Sequence, residues 1–298
     1  MIVGTLSRLL TLRSDYRQYP STPAGYVSAL ALGLIASFIG AEFVPALVGK
    51  EYTAATFLTV AATQFRDVRK MERETLKNIE GSTLVERGPG YIEGIAKVFE
   101  ERNYLAMGTA LVGSTVEVYF HLIWGAIAGL VALGALVLLA SGRRVGQVMV
   151  ARVGKIWFKE QSLLMVDDCM MMEVGLRESQ EKWLKEGVGI MIEPRNAKGQ
   201  AVLWDYSQRQ AIAHDVAAIC GVQTDVGYPE LTPLVRMTMP RGDGTAALAI
   251  IPVQRDVDAL IHAVHNVPVL ETAKGHPITG KFFDRQRGRE RSGGGEAS

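Results

Sequence analysis

Long apolar runs dominate the chain before residue 141, and after it apolar positions come in short runs divided by charge and turn residues. Ser28 to Val48 (SALALGLIASFIGAEFVPALV) has the length of about 20 residues that a helix needs to cross hydrocarbon, with Glu42 inside it and Pro45 expected to kink its far end. Leu122 to Ala140 carries no charge, and its Gly125 and Gly129 form a G-x-x-x-G. That motif lets another helix approach closely, although small residues are also common in membrane helices generally. Thr53 to Phe65 is apolar but short, and Tyr104 to Phe120 is apolar up to Glu117. Basic clusters flank these segments: Arg8, Arg13 and Arg17, then Arg66, Arg69, Lys70, Arg73 and Lys77, then Arg143, Arg144, Arg152 and Lys155. Lys and Arg gather on cytoplasmic flanks, so placing all three clusters inside calls for an even number of crossings between them. Four spans, about 28–48, 52–66, 104–120 and 122–140, meet that condition.

The stretch 66–103 is then a cytoplasmic loop. Phe65, Val68, Met71, Leu76 and Ile79 fall at helical spacing, which predicts a helix lying on the membrane or projecting into solvent. Gly88-Pro89-Gly90 breaks the chain before a second amphipathic stretch, Tyr91 to Tyr104.

Beyond Val145 the pattern predicts strands at Ser162–Val166, Met170–Val174, Gly189–Glu193, Val202–Trp204, Leu234–Met239, Ala246–Ile251 and Val267–Leu270. Helices are expected at Glu178–Glu186, Arg209–Cys220, which Gly221 stops, and Asp256–Val264. Pro240-Arg241-Gly242-Asp243-Gly244 reads as a hairpin turn, and Gly199 as another turn. The fold class is therefore an α-helical membrane domain of about four spans followed by a cytoplasmic α+β domain. Its sheet is expected to be antiparallel or mixed, with helices over one face. The expected domains are a cytoplasmic segment at 1–24, a membrane domain at 25–144, an α+β domain at 145–280 and a disordered tail at 281–298.

Candidate chemistry is sparse. Cys169 and Cys220 lie far apart outside any C-x-x-C and read as reduced thiols. A net charge of +1 makes no bulk case for nucleic acid. Glu42 and Glu117 are intramembrane candidates for proton or cation handling, against the plainer reading that they sit at span ends. His121 fits an interfacial belt beside Tyr119 and Trp124. His262 and His265 share a helical face without a third ligand at recognisable spacing, and no metal or other cofactor is expected. His214-Asp215 resembles an oriented imidazole without a nucleophile motif. Asp167-Asp168 suits either a cation or a turn. No phosphate-loop, dinucleotide, zincin or nucleophile-elbow motif occurs.

One hexapeptide stands apart: Tyr91-Ile92-Glu93-Gly94-Ile95-Ala96, which reads YIEGIA. It resembles the signature of the YIEGIA family, membrane proteins of endospore-forming bacteria named for this hexapeptide, and the resemblance is taken to cover most of residues 20–275. The resemblance implies a role linked to sporulation and a small companion protein, described for the family as a capping complex subunit. It implies no activity and no catalytic residue. In physical terms Ile92, Ile95, Val98 and Phe99 continue one apolar stripe, notched by Gly94. The stripe is read either as a docking surface or as an ordinary packed helix.

The expected function is a sporulation-linked, multi-pass membrane anchor or scaffold, not an enzyme, that docks a small cytoplasmic partner through Tyr91, Ile92, Glu93, Gly94, Ile95 and Ala96. The partners are the lipid bilayer and that companion, and a homo-oligomer stays open. The alternative is a small channel or transporter subunit using Glu42 and Glu117.

Overall fold

The computed structural model describes residues 1–15, 23–81, 83–139, 142–224, 229–238 and 244–274. They form two compact units, Met1–Leu76 with Ile95–Ser141, and Lys77–Gly94 with Gly142–Ser298.

The first unit is helical. It contains α1 (Ile2–Asp15), α2 (Pro23–Val48), α3 (Tyr52–Thr63), most of α4 (Phe65–Glu80), α5 (Pro89–Tyr119) from Ile95 onward, and α6 (Leu122–Leu139). Small residues set its close contacts. A methyl group at Gly33 would stand 2.5 Å from Arg8 Cγ, and one at Gly125 would stand 2.7 Å from Glu117 Cβ on α5. Gly113 and Gly129 approach each other in the same contact, so the G-x-x-x-G of α6 is a packing motif within the chain. The α4 stripe also turns inward, with Phe65 buried and Val68 packed beside Ala36, Ile39 and Leu58, while Met71 faces out. Neither a membrane-surface helix nor a solvated one is needed to explain it.

The expected membrane domain of four spans is corrected. Among the described residues one helix, Gly25–Val48, is long and apolar enough to cross a membrane, at 24 residues and a mean hydropathy of 2.0. The reasons are length and charge. α3 has 12 residues, about 18 Å of helix against hydrocarbon about 30 Å thick. Residues 104–120 are not an element of their own: they end a helix of 31 residues whose first half carries Glu93, Lys97, Glu100, Glu101 and Arg102. The apolar stretch of α6, Leu122–Leu136, is also too short to qualify. With one candidate span near the N-terminus, the multi-pass localisation loses its support.

The second unit is built on two antiparallel sheets. Its elements after a short helix α7 (Val145–Val148) are β1 (Met149–Gly154), β2 (Ile156–Lys159), β3 (Leu163–Val166), β4 (Cys169–Glu173), α8 (Arg177–Glu186), β5 (Val188–Pro194), α9 (Ala197–Trp204) and α10 (Tyr206–Cys220). After a single 3-10 turn at Pro229–Leu231 come β6 (Leu234–Met237), β7 (Ala246–Ile250), α11 (Val257–Asn266) and α12 (Glu271–Lys274). Four strands run in the order β1-β5-β7-β6 and three in the order β2-β3-β4. The smaller sheet lays Leu164, Val166 and Met171 against Met191, Ala247 and Ala249 of the larger one, with Trp183 of α8 in the same core. Alternate residues such as Ile190, Ile192, Leu248 and Ile250 fall on the opposite face, and they too are buried. Strands buried on both faces carry apolar residues without alternation, which is the pattern of β5 and β7. Gly154 and Gly189 stand opposite each other, and a methyl group at either would come within 2.7 Å of Val166 Cγ1, so the pair leaves a slot for that side chain.

Two expected strands are absent. Val202–Trp204 belongs to α9, because the Asn196 side chain caps that helix by accepting from the Gly199 N–H at 2.9 Å. Gly199 is thus inside a helix start and not in a turn. Val267–Leu270 makes one isolated bridge, Arg144 to Pro268, before α12. Gly221, with φ of 69°, ends α10 as expected. Pro240 to Asp243 and the 281–298 tail lie outside the described residues.

The Asp167-Asp168 pair is a turn between β3 and β4, with Asp167 at φ of 47°. The Asp167 carboxylate accepts from the Lys155 N–H and from Arg152 Nη1, both at 2.7 Å, and Arg152 Nε donates to Glu193 at 2.7 Å. Burial raises the Asp167 pKa, but the Lys155 amide and the Arg152 guanidinium outweigh it and hold the carboxyl below its ordinary range. A depressed folded pKa gives stability that is present above the unfolded value and is lost as pH falls through the folded one. Asp167→Asn is therefore expected to destabilise by about 0.5–1 kcal/mol at neutral pH, a modest figure because the partner is half exposed. The gap to wild type should start to close below about pH 4. Thermal unfolding midpoints of both proteins across that range check it, and a gap independent of pH contradicts it.

Candidate functional site

The YIEGIA hexapeptide opens α5, and its first residues belong to the sheet-containing unit. Pro89 starts the helix, where its missing N–H costs nothing. Gly88 before it has φ of 81°, a conformation open to glycine, and donates its N–H to Glu80 Oε1 at 3.0 Å. Ser207, Gln210 and His214 follow helical spacing on α10, which is itself capped by Asp205 accepting from the Ser207 N–H at 2.7 Å. A methyl group at Gly90 would overlap the Ser207 hydroxyl, so this glycine sets the close approach of α5 to α10.

Tyr91 then reaches α10. Its hydroxyl donates to Asp215, 2.9 and 3.0 Å from the two carboxylate oxygens. Its ring meets the His214 ring edge-on, at 6.2 Å between centroids and 74° between planes. His214 Nδ1 lies 2.6 Å from the Val85 carbonyl oxygen, which can only accept, so Nδ1 carries a proton. Gln210 Nε2 donates to the Glu86 carbonyl at 2.6 Å. On the first turn of α10, Gln208 donates to the Pro268 carbonyl at 3.0 Å and accepts from the Leu270 N–H at 2.8 Å. Burial, then the Asp215 charge and hydrogen bond, push the Tyr91 pKa well above its ordinary value. Burial, then nearby Arg87, lower that of His214 against the opposing Val85 bond and Glu80 charge.

This arrangement is a latch. The Tyr91 proton is held more tightly than in water, and the one ring nitrogen of His214 with a bond here is fixed by a main-chain carbonyl. In the His214-Asp215 dipeptide the imidazole is oriented by the Val85 carbonyl and the carboxylate accepts from Tyr91, so the two side chains grip the 85–91 segment.

The hexapeptide residues divide clearly. Tyr91 is 2% exposed, and Ile92, Ile95 and Ala96 are also buried, while Glu93 and Gly94 are half-buried. Of the apolar stripe, Ile92, Ile95 and Phe99 are buried and Val98 is half-buried, so the chain itself covers most of it. The Gly94 notch is shallow: a methyl group there would make ordinary contact with Leu270 Cδ2 at 3.8 Å. Gly90 is the glycine at which a side chain would clash, and the sequence marks it only as part of the Gly88-Pro89-Gly90 break. Ser207, Gln210 and Glu80 were also missed. The sequence pattern places the start of α10 at Arg209, whereas the Asp205 cap starts it at Tyr206.

Glu42 is exposed on α2 and Glu117 is exposed on α5. His265 accepts from the Ala151 N–H at Nε2, 3.2 Å away, and Asn266 Nδ2 lies 3.0 Å from His262 Nδ1. No group of three His, Cys, Asp or Glu among the described residues could hold a metal ion.

Comparison with known proteins agrees with the hexapeptide. A model of the YIEGIA protein family matches residues 1–279. The uncharacterized protein YphB of Bacillus subtilis strain 168 is 42% identical over 276 residues, 92% of this chain and 91% of that protein. No solved structure matches the chain. The protein belongs to the YIEGIA family.

Proposed function

We propose that the protein is a membrane-anchored scaffold, linked to sporulation, that holds a small companion protein and performs no catalysis. The observation that supports this reading is the outward face of α2. Val27 is 67% exposed, Ile35 51% and Phe38 49%, along a helix whose apolar window is only 33% buried. An apolar face of this extent is unfavourable in water and suits hydrocarbon. Sporulation and the companion are what the resemblance to the family implies. A signature whose side chains are engaged in packing and in the latch supports the reading without catalysis.

In a single crossing the two ends of α2, Pro23 and Val48, face opposite sides of the membrane. The basic cluster Arg66, Arg69, Lys70, Arg73 and Lys77 supports a cytoplasmic side for the chain that follows Val48. In sporulating cells the chain should resist carbonate extraction and keep its N-terminus uncleaved. Pro20→Cys and Val150→Cys should label from opposite faces. Mild detergent should recover one small protein in fixed stoichiometry, and deletion should lower spore yield. Release by carbonate, or cleavage at the N-terminal helix, overturns the anchor. Recovery of the chain alone overturns the scaffold.

A further inference from the structure

The helical unit contains a polar cluster that none of the preceding assignments uses. Phe99, Arg102 and Asn103 lie on adjoining positions of α5, since residues three and four apart share a helix face. Across from Phe99, Arg8 of α1 is fully buried, its guanidinium carbon 4.7 Å from the ring centroid. Its stem runs over Gly33, which has no side chain to obstruct it. Arg102 is close enough to Arg8 to feel its charge. Burial first, and then Arg8, lower the Arg102 pKa to about 9. Both guanidinium groups keep interactions of their own within the chain; what they add here is positive potential. Asn103 is the decisive residue. It is 0% exposed, and neither its amide nitrogen nor its amide oxygen has a hydrogen-bond partner among the described residues.

A buried amide with both functions unfilled forgoes hydrogen bonds that water would supply, and native folds seldom leave such a group without a partner. The missing group must accept from Nδ2 and donate to Oδ1 side by side, and it must be anionic to suit two neighbouring arginines. A carboxylate or halide lacks the donor, and a water lacks the charge. We propose that Asn103, Arg8 and Arg102 bind a hydroxyl-bearing phosphate, with a phosphate oxygen taking the Nδ2–H and the hydroxyl donating to Oδ1. Inorganic hydrogen phosphate and a phospholipid headgroup with a hydroxyl beside its phosphate share this chemistry.

The test uses the full chain purified in a phosphate-free, uncharged detergent. Inorganic phosphate should raise the thermal midpoint, by about 2 °C or more near saturation. If the source is lipid, the rise should appear in phosphatidylglycerol nanodiscs relative to phosphatidylcholine ones. Arg102→Met keeps the stem without the charge and should weaken the apparent affinity about tenfold or more. Asn103→Leu keeps the volume without the amide, so the fold should survive while the ligand-dependent rise disappears. A rise with phosphate alone or with phosphatidylglycerol alone supports the site and names its source. An equal rise with chloride or sulfate, a rise that persists in Asn103→Leu, or no rise in either arm overturns it.

Discussion

Tyr91→Ala should destabilise the protein by about 3–5 kcal/mol, the range for removing a fully buried aromatic side chain. The residue is 2% exposed, its hydroxyl is bonded to Asp215, and its ring rests on His214. Tyr91→Phe separates the two contributions. It keeps the ring and removes a hydrogen bond to a charged group, for an expected cost of about 1.5–3 kcal/mol. The Tyr91 pKa is raised in the folded state, so the hydroxyl contributes stability that is fully present below the unfolded value of about 10 and is lost as pH rises through the folded one. The gap between wild type and Tyr91→Phe should therefore hold steady at neutral pH and narrow in strong alkali. Thermal unfolding of the detergent-purified chain measures all three quantities. A Tyr91→Ala protein within about 1 kcal/mol of wild type would falsify the latch.

The second large effect is expected at Trp183, far from the hexapeptide in sequence. Its ring is fully buried, its Nε1 donates to the Glu230 carbonyl at 2.9 Å, and Gly187 gives it room. Trp183→Ala should cost about 3–5 kcal/mol through the cavity left between α8 and the smaller sheet. Hydrogen exchange should show β2, β3 and β4 losing protection before β5 and β7. Leu184→Ala, at an exposed neighbouring position, should stay within about 0.5 kcal/mol of wild type. If the two substitutions cost the same, Trp183 is not the support that its burial implies.

How much of this was legible depends on how local each signal is. The turns and alternation around Asp167 and the apolar run Ala246–Ile250 identify β3, β4 and β7, because pleat and turn chemistry act over a few residues. Val202-Leu203-Trp204 reads equally well as a strand, and only the Asn196 cap, six residues upstream, decides for a helix. The four-span expectation failed for a related reason. Hydropathy and basic flanks do not reveal that residues 104–120 continue a helix begun at Pro89, nor that Arg8 points into the protein, where it cannot mark a membrane face. At the candidate site the hexapeptide was legible and its partners were not. Tyr91 and Asp215 are 124 positions apart, and no local pattern connects them.

That separation also fixes an order of events during synthesis. The ribosome must add 124 more residues after Tyr91 before Asp215 exists, which takes about 6–25 s at ordinary rates of elongation. Throughout that interval α2 precedes the segment and can enter a bilayer, while Tyr91 has no α10 to hold it. The nascent chain thus holds its most characteristic segment open to other proteins for several seconds, and closes it only as the sheet-containing unit is completed.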